Sequence, residues 1–236
     1  MPMHFDERSD RLVRCISRSS ELPLVYTRAE MRMNFDPDTL VQLRKQAKVT
    51  LRKRLNALRS TLPVQAVAER SGRIVARLAT HPLLPSAEGV GLYVAMPERG
   101  EVDLSSFHEL LMRRGTRLYY PFMDRTPEGY NTGFRQYRAG DVLEKRGQRF
   151  AEPNPNAPVA VRGDIDLLVV PALGITLQGY RLGFGAGFYD ATLPDLCPPA
   201  TTICVGYDFQ LLVELPVEPH DFKCDEVITD AEDAKS

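Results

Sequence analysis

The sequence predicts an α/β fold with a largely parallel sheet, on three observations. Amphipathic helical stretches alternate with short apolar runs rich in β-branched residues, the order expected when helices cover the faces of a sheet. One such run, Leu167-Leu-Val-Val170 between Asp166 and Pro171, has no polar position inside it, as in a strand buried on both faces. Downstream lies Arg181-Leu-Gly-Phe-Gly-Ala-Gly-Phe-Tyr-Asp190, a glycine-rich loop beyond the carboxyl end of that strand, where open α/β sheets collect ligands.

Residues 1–35 mix charges with serines, and their longest apolar stretch, Leu22 to Tyr26, is interrupted by Pro23. A loose extension is expected there, since an uninterrupted signal core is missing and Asp6, Glu7, Asp10 and Glu21 argue against a transit peptide. A single α/β domain is expected over residues 36–232. Its first helix starts at Asp36-Pro37, a cap followed by proline, and runs to about Arg59 with Leu40, Leu43, Ala47, Leu51, Leu55 and Leu58 as its apolar stripe. Pro63 opens a second helix, with Val67, Ile74, Val75 and Leu78 as its apolar side. A strand over Val90–Ala95, a helix over Leu104–Arg114 and a strand over Thr116–Phe122 follow. Residues 124–164 are interrupted by Pro, Asn and Gly, and only a hairpin around Gly133 to Tyr137 is predicted in them. The core strand Leu167–Val170 precedes the glycine loop, whose helix is expected from Gly187 to Leu193, ending at Pro194. Strands near Thr202–Tyr207 and Val227–Thr229 complete the chain.

Composition narrows the function classes. Thirty basic against thirty-one acidic side chains leave a net charge of −1, so nothing pulls the whole chain toward nucleic acid or an anionic membrane. No apolar run approaches the roughly 20 residues of a membrane span. Cys15, Cys197, Cys204 and Cys224 form no C-x-x-C pair and read as reduced thiols of a cytoplasmic protein. The histidines, His4, His81, His108 and His220, are too scattered for a zinc site. The adjacent His220-Asp221 pair is given no role, because neighbouring side chains rarely aim at one another.

The glycine loop admits two readings from spacing alone. Gly183, Gly185 and Gly187 alternate, so the backbone can approach a ligand or take positive φ, as in a phosphate cradle or in a plain structural turn. The string is neither a Walker loop nor a dinucleotide fingerprint. Arg181 before it and Asp190 after it fit a metal-bound polyphosphate. Lys48 and Arg52, four residues apart, share one helix face with Lys45 nearby. Taken alone, such a face is a solvated surface.

Four ordered blocks resemble the 5-formyltetrahydrofolate cyclo-ligase family: Lys48-Val-Thr-Leu-Arg52, the stretch from Tyr93 to Asp103, the strand and loop from Asp166 to Leu193, and the tail from Val205 to Asp225-Glu-Val. The resemblance implies a three-layer α/β/α fold of the sugar-phosphate isomerase and CoA-transferase type. It also implies ATP-dependent closure of 5-formyltetrahydrofolate to 5,10-methenyltetrahydrofolate, with Mg²⁺ as cofactor. Carried over by position, Lys48, Arg52 and Arg181 hold the ATP phosphates. The loop from Gly183 through Gly185, Ala186, Gly187, Phe188 and Tyr189 cradles the nucleotide. Met96 and Glu101, with Tyr189, meet the folate, and Asp190 and Asp225 bind the metal. Ala186 stands where the family has glycine or lysine, and Phe188 lacks the usual hydroxyl. A non-catalytic folate- or nucleotide-binding relative, and a sugar-phosphate or CoA-handling enzyme of the same fold, are the alternatives.

Overall fold

The computed structural model describes residues 36–146 and 150–231; the expected extension over 1–35 and the last residue of the expected domain lie outside them. Helices α1 (Pro37–Ser60) and α2 (Val64–Ala79) come first, then strand β1 (Gly89–Gly91), helix α3 (Ser105–Arg114) and the hairpin β2 (Arg117–Thr126) with β3 (Gly129–Tyr137). Strands β4 (Leu167–Pro171), β5 (Gly174–Thr176) and β6 (Arg181–Leu182) lead into helix α4 (Phe188–Leu196). Strands β7 (Thr201–Gly206), β8 (Leu211–Leu212) and β9 (Glu226–Thr229) finish the chain. The main sheet has six strands in the order β3-β2-β1-β4-β7-β9. Every neighbouring pair is parallel except the β2–β3 hairpin.

Strand period decides the layers. Leu167 and Val169 face one side of β4, where Ile74, Leu78, Phe107 and Leu111 of α2 and α3 cover them. Leu168 and Val170 face the other, against Phe188, Leu193 and Leu196 of α4. All four are completely buried, which accounts for the unbroken apolar run in the sequence. A small sheet, β6-β5-β8, stands beside the main one, and α1 docks on it through Leu55 against Leu173, Leu182 and Leu215.

Several expectations change in the fold. The α1 cap is as predicted, Asp36 accepting from the Thr39 N–H at 3.0 Å. The leucine stripe is buried only in part, through Leu55 with Leu51 beside it: Leu40, Leu43 and Leu58 are exposed, whereas Lys48, Leu55 and Arg59 are buried. With Arg52, these lie at steps of four, three and four, so the helix turns a basic face inward, toward carboxylates and carbonyls. Strand β1 stops at Gly91, well short of Ala95, because the chain then leaves the sheet for a 3-10 turn at Pro97–Arg99. Gly133 to Tyr137 belongs to the second strand of the hairpin, whose turn lies between Thr126 and Gly129. Gly133 is needed inside that strand because it pairs with Phe122, whose ring would lie 2.7 Å from an added Cβ. Helix α4 continues through Pro194 to Leu196, and Arg162 donates to the Pro194 and Pro198 carbonyls at 3.0 and 2.6 Å, satisfying that end. Strands β5, β6 and β8 were not expected; at two or three residues each, they carry no readable period. Among the described residues no helix is long and apolar enough to cross a membrane.

Candidate functional site

The basic face of α1, the loop from Met96 to Glu101 and the glycine loop enclose a cleft of about 670 Å³. A second hollow of about 570 Å³ adjoins it, sharing Lys48, Arg52, Gly185, Gly187, Asp190 and Asp221 with the first. The two differ in character. The larger carries Tyr93, Met96, Phe150 and Phe184 beside Glu98 and Glu101, which the smaller lacks. The smaller adds Lys45, Glu218 and His220, together with Val49 and Ala191.

Each charged side chain at the junction is held by an opposite charge or a carbonyl. Lys48 Nζ donates at 2.7 Å to both Glu218 Oε2 and Asp221 Oδ2. Burial works against the Lys48 charge, but these carboxylates outweigh it and hold the ammonium above its ordinary pKa. Arg52 Nε donates to the Gly183 carbonyl at 2.9 Å, fastening helix α1 to the glycine loop. Arg181 Nη2 donates to Asp190 Oδ1 at 2.7 Å, and its guanidinium lies 5.1 Å from the Tyr189 ring centre. The Nε of Arg181 is buried without a hydrogen-bond partner. Asp190 Oδ1 also accepts from the Phe222 N–H at 3.1 Å, which draws the carboxyl-terminal segment to the loop.

The loop geometry is compatible with a phosphate cradle. Gly185 and Gly187 take φ of +94° and +69°, values that L side chains avoid, while Gly183 does not. An added Cβ on Gly185 would sit 3.5 Å from the Arg52 guanidinium. Gly187 is the N-cap of α4 and supplies no side-chain acceptor, so the first N–H groups of that helix are left for an anion. Ala186 is exposed and lines the larger cleft. Phe188 turns inward instead, edge-on to Phe134, Phe150 and Tyr189, so its ring belongs mainly to the core beneath the loop.

At the far end, Glu101 Oε2 accepts from the Met96 N–H at 2.9 Å, and Met96 lines the same wall. Burial raises the Glu101 pKa, opposed by that N–H and by the nearby Arg59 guanidinium. None of the described residues lining the larger cleft is Ser, Cys or His, so it offers no ordinary nucleophile–base pair.

One predicted ligand is not brought to the site. Asp225 Oδ2 accepts from the Thr202 N–H and hydroxyl at 2.8 and 2.7 Å, tying the approach to β9 onto β7, and it lines neither hollow. Asp221 stands at the cleft in its place, together with Glu218. The ligand atoms of Glu218, His220 and Asp221 lie within 4.8 Å of one another. Sequence reasoning weighed His220-Asp221 only as a mutual pair. The missed signal was Lys48, whose burial on a helix face demands a carboxylate from elsewhere in the chain. Arg59 was missed too, named only as the end of the first helix although it is 2% exposed.

Comparison with known proteins identifies the family. A sequence model of the 5-formyltetrahydrofolate cyclo-ligase family matches residues 44–230. A 5-formyltetrahydrofolate cyclo-ligase of Mycolicibacterium smegmatis is 33% identical over 136 residues, 57% of this chain and 70% of that protein. One from Escherichia coli is 31% identical over 174 residues, 72% of this chain and 93% of that protein. The solved 5,10-methenyltetrahydrofolate synthetase of Aquifex aeolicus superposes with a TM-score of 0.65 at 26% identity, covering 78% of this chain and 90% of that one.

Proposed function

Since the chain belongs to the 5-formyltetrahydrofolate cyclo-ligase family, we propose that it closes 5-formyltetrahydrofolate to 5,10-methenyltetrahydrofolate, converting ATP to ADP and phosphate. One observation carries the assignment to residues: Lys48, Arg52, Arg181 and Asp190 surround a single junction, with Glu101 and Met96 at the far end of the same cleft. The smaller hollow, with Lys45, Lys48 and Arg52 in its lining, takes the triphosphate and the larger cleft the folate.

An amide-like formyl oxygen is a poor leaving group. The γ-phosphate transfers to that oxygen and ADP departs. The neighbouring folate nitrogen then attacks the formyl carbon and loses its proton. Phosphate leaves with the C–O electron pair, and the ring is closed. The protein aligns two ligands and neutralises spreading phosphate charge, which requires cations and backbone N–H groups rather than a nucleophile. Lys48, Arg52 and Arg181 are those cations, and the loop from Gly183 to Tyr189 supplies the backbone. Tyr189 lines the larger cleft, next in sequence to Asp190 of the smaller, and in this reading separates nucleotide from folate. Glu101 accepts hydrogen bonds from the folate ring system, and Met96 packs on it.

Asp190 and Asp221 fit a magnesium ion, which takes one or two carboxylates and completes its octahedron with phosphate oxygens and water. Both line the smaller hollow, and Asp221 replaces Asp225 in this role. When bound there, Mg²⁺ supplies charge neutralisation at the transferred phosphate. The expected domain, from Asp36 onward, contains every one of these residues.

The test is purified protein with ATP, Mg²⁺ and 5-formyltetrahydrofolate. Appearance of the methenyl product's absorbance, with one ADP per turnover, is the expected result. Turnover that ignores ATP, or none at all, would remove the assignment.

A further inference from the structure

Arg59 has no part in the scheme above, yet its guanidinium is among the most deeply buried charges in the chain. Only 2% of the residue is exposed. Its Nε donates to the Arg99 carbonyl at 2.6 Å and its Nη1 to the Ala172 carbonyl at 3.2 Å. It therefore ties the end of α1 to the loop that carries Glu101 and to the segment following β4. Its carbon Cζ lies 5.1 Å from the centre of the Phe184 ring, which Arg99 also approaches, at 4.5 Å. Gly100 takes φ of +58°, and a Cβ there would lie 2.9 Å from the Arg59 carbonyl, so the loop wraps the helix end closely.

The last donor is the informative one. Arg59 Nη2 is buried, has no hydrogen-bond partner, and lies 3.7 Å from Glu101 Oε1. A buried donor without a partner is costly, and near an equally buried carboxylate it has one obvious use. The two carboxylate oxygens are then divided: Oε2 is held by the Met96 N–H, and Oε1 faces the guanidinium.

Resting on the cyclo-ligase reading, we propose that Arg59 is the positioning residue of the folate end of the cleft, keeping Glu101 ionised and aimed at the ligand. Glu101 is faced by Arg59 from α1, by Glu98 and Arg99 on its own loop, by Tyr93 after β1 and by Tyr189 from α4. Arg59 is the buried cation in that set. Burial already lifts the Glu101 pKa, and removing Arg59 lifts it further. The sign follows: if the ionised carboxylate binds folate, the acid limb of kcat/KM for folate moves to higher pH when Arg59 is lost.

The experiment compares wild type, Arg59→Met and Arg59→Lys, with KM for each substrate and kcat measured between pH 5.5 and 9. Arg59→Met should raise the folate KM by about tenfold or more, the value of one lost charge-assisted contact, while the ATP KM holds. Its acid limb should move up by about one pH unit. Arg59→Lys should restore the limb in large part, because the charge returns. An unmoved acid limb in a folded Arg59→Met protein, or an equal loss on both substrates, would overturn the proposal. Should Arg59→Met fail to fold, Arg59→Lys is measured in wild-type and Glu101→Gln backgrounds. Its effect on folate KM should vanish in the second, and persistence there would overturn the proposal. Wild-type turnover is read first, and its absence would instead defeat the cyclo-ligase reading on which this rests.

Discussion

At the scale of single residues, carboxylates in the same segment do opposite jobs. Asp190 pairs with Arg181 at the mouth of α4, and Asp221 pairs with Lys48. Asp225, four positions further, only fastens Thr202. Asp190→Ala is expected to abolish turnover, and Asp221→Asn to lower kcat at least a hundredfold with Mg²⁺ dependence weakened, both read in the methenyl absorbance assay. Asp225→Ala should behave differently. It leaves the buried Thr202 N–H without its acceptor, which costs about 1–3 kcal/mol. A lower unfolding midpoint with kcat retained is the expected outcome. Loss of activity at full stability in that variant would return Asp225 to the metal site.

At the scale of elements, the site is a junction between one helix and one loop. Helix α1 presents Lys48, Arg52 and Arg59 inward because Leu55, on the same face, is seated among Leu173, Leu182 and Leu215. The glycine loop meets that face with two residues at positive φ. Gly185→Ala would force a side chain into that conformation, about 1–2 kcal/mol of strain, and set a methyl group against Arg52. The prediction is a raised ATP KM with smaller change in folate KM, measured by varying each substrate separately. A folate-only defect would place the loop at the wrong ligand. The element boundaries themselves were legible where local signals are strong: the Asp36 cap, the Gly115 stop of α3 and the apolar run of β4. They were illegible where a residue serves a distant partner. Gly133 stands inside β3 opposite the Phe122 ring, a partner across the hairpin that nothing local reveals. Pro194 looked like a helix end because nothing local reveals Arg162.

At the scale of the whole molecule, charge pairs between α1 and the tail couple stability to pH and to ligand. The Lys48 hydrogen bond holds the Glu218 carboxyl below its ordinary 4.5. A depressed carboxyl contributes stability that is present above the unfolded pKa and lost as pH falls through the folded one. Glu218→Gln should therefore lower the unfolding midpoint at neutral pH and converge with wild type in acid, as followed by thermal melts. A difference that persists unchanged below pH 4 would mean that the Lys48 pair is not its source. The chain from Asp36 onward contains both hollows, so a protein beginning there is expected to fold and to turn over at close to the full-length rate. Circular dichroism with the same assay would check it.

The sequence by itself determined the α/β class and the main strands, because periodicity and caps act over a few residues; the three-layer arrangement and the phosphate reading of the glycine loop came through likeness to a family. It also placed Lys48, Arg52, Arg181, Glu101 and Asp190 through likeness to a family. Only the tertiary structure decided that Asp221 and not Asp225 reaches the cleft, that α1 buries Lys48 and Arg59 while leaving Leu40, Leu43 and Leu58 exposed, and that Arg59 stands behind Glu101. Each of those depends on a partner more than 40 positions away or on which side of a helix meets another element. Electrostatic pairing at such separations is fixed by packing, and no local pattern encodes it.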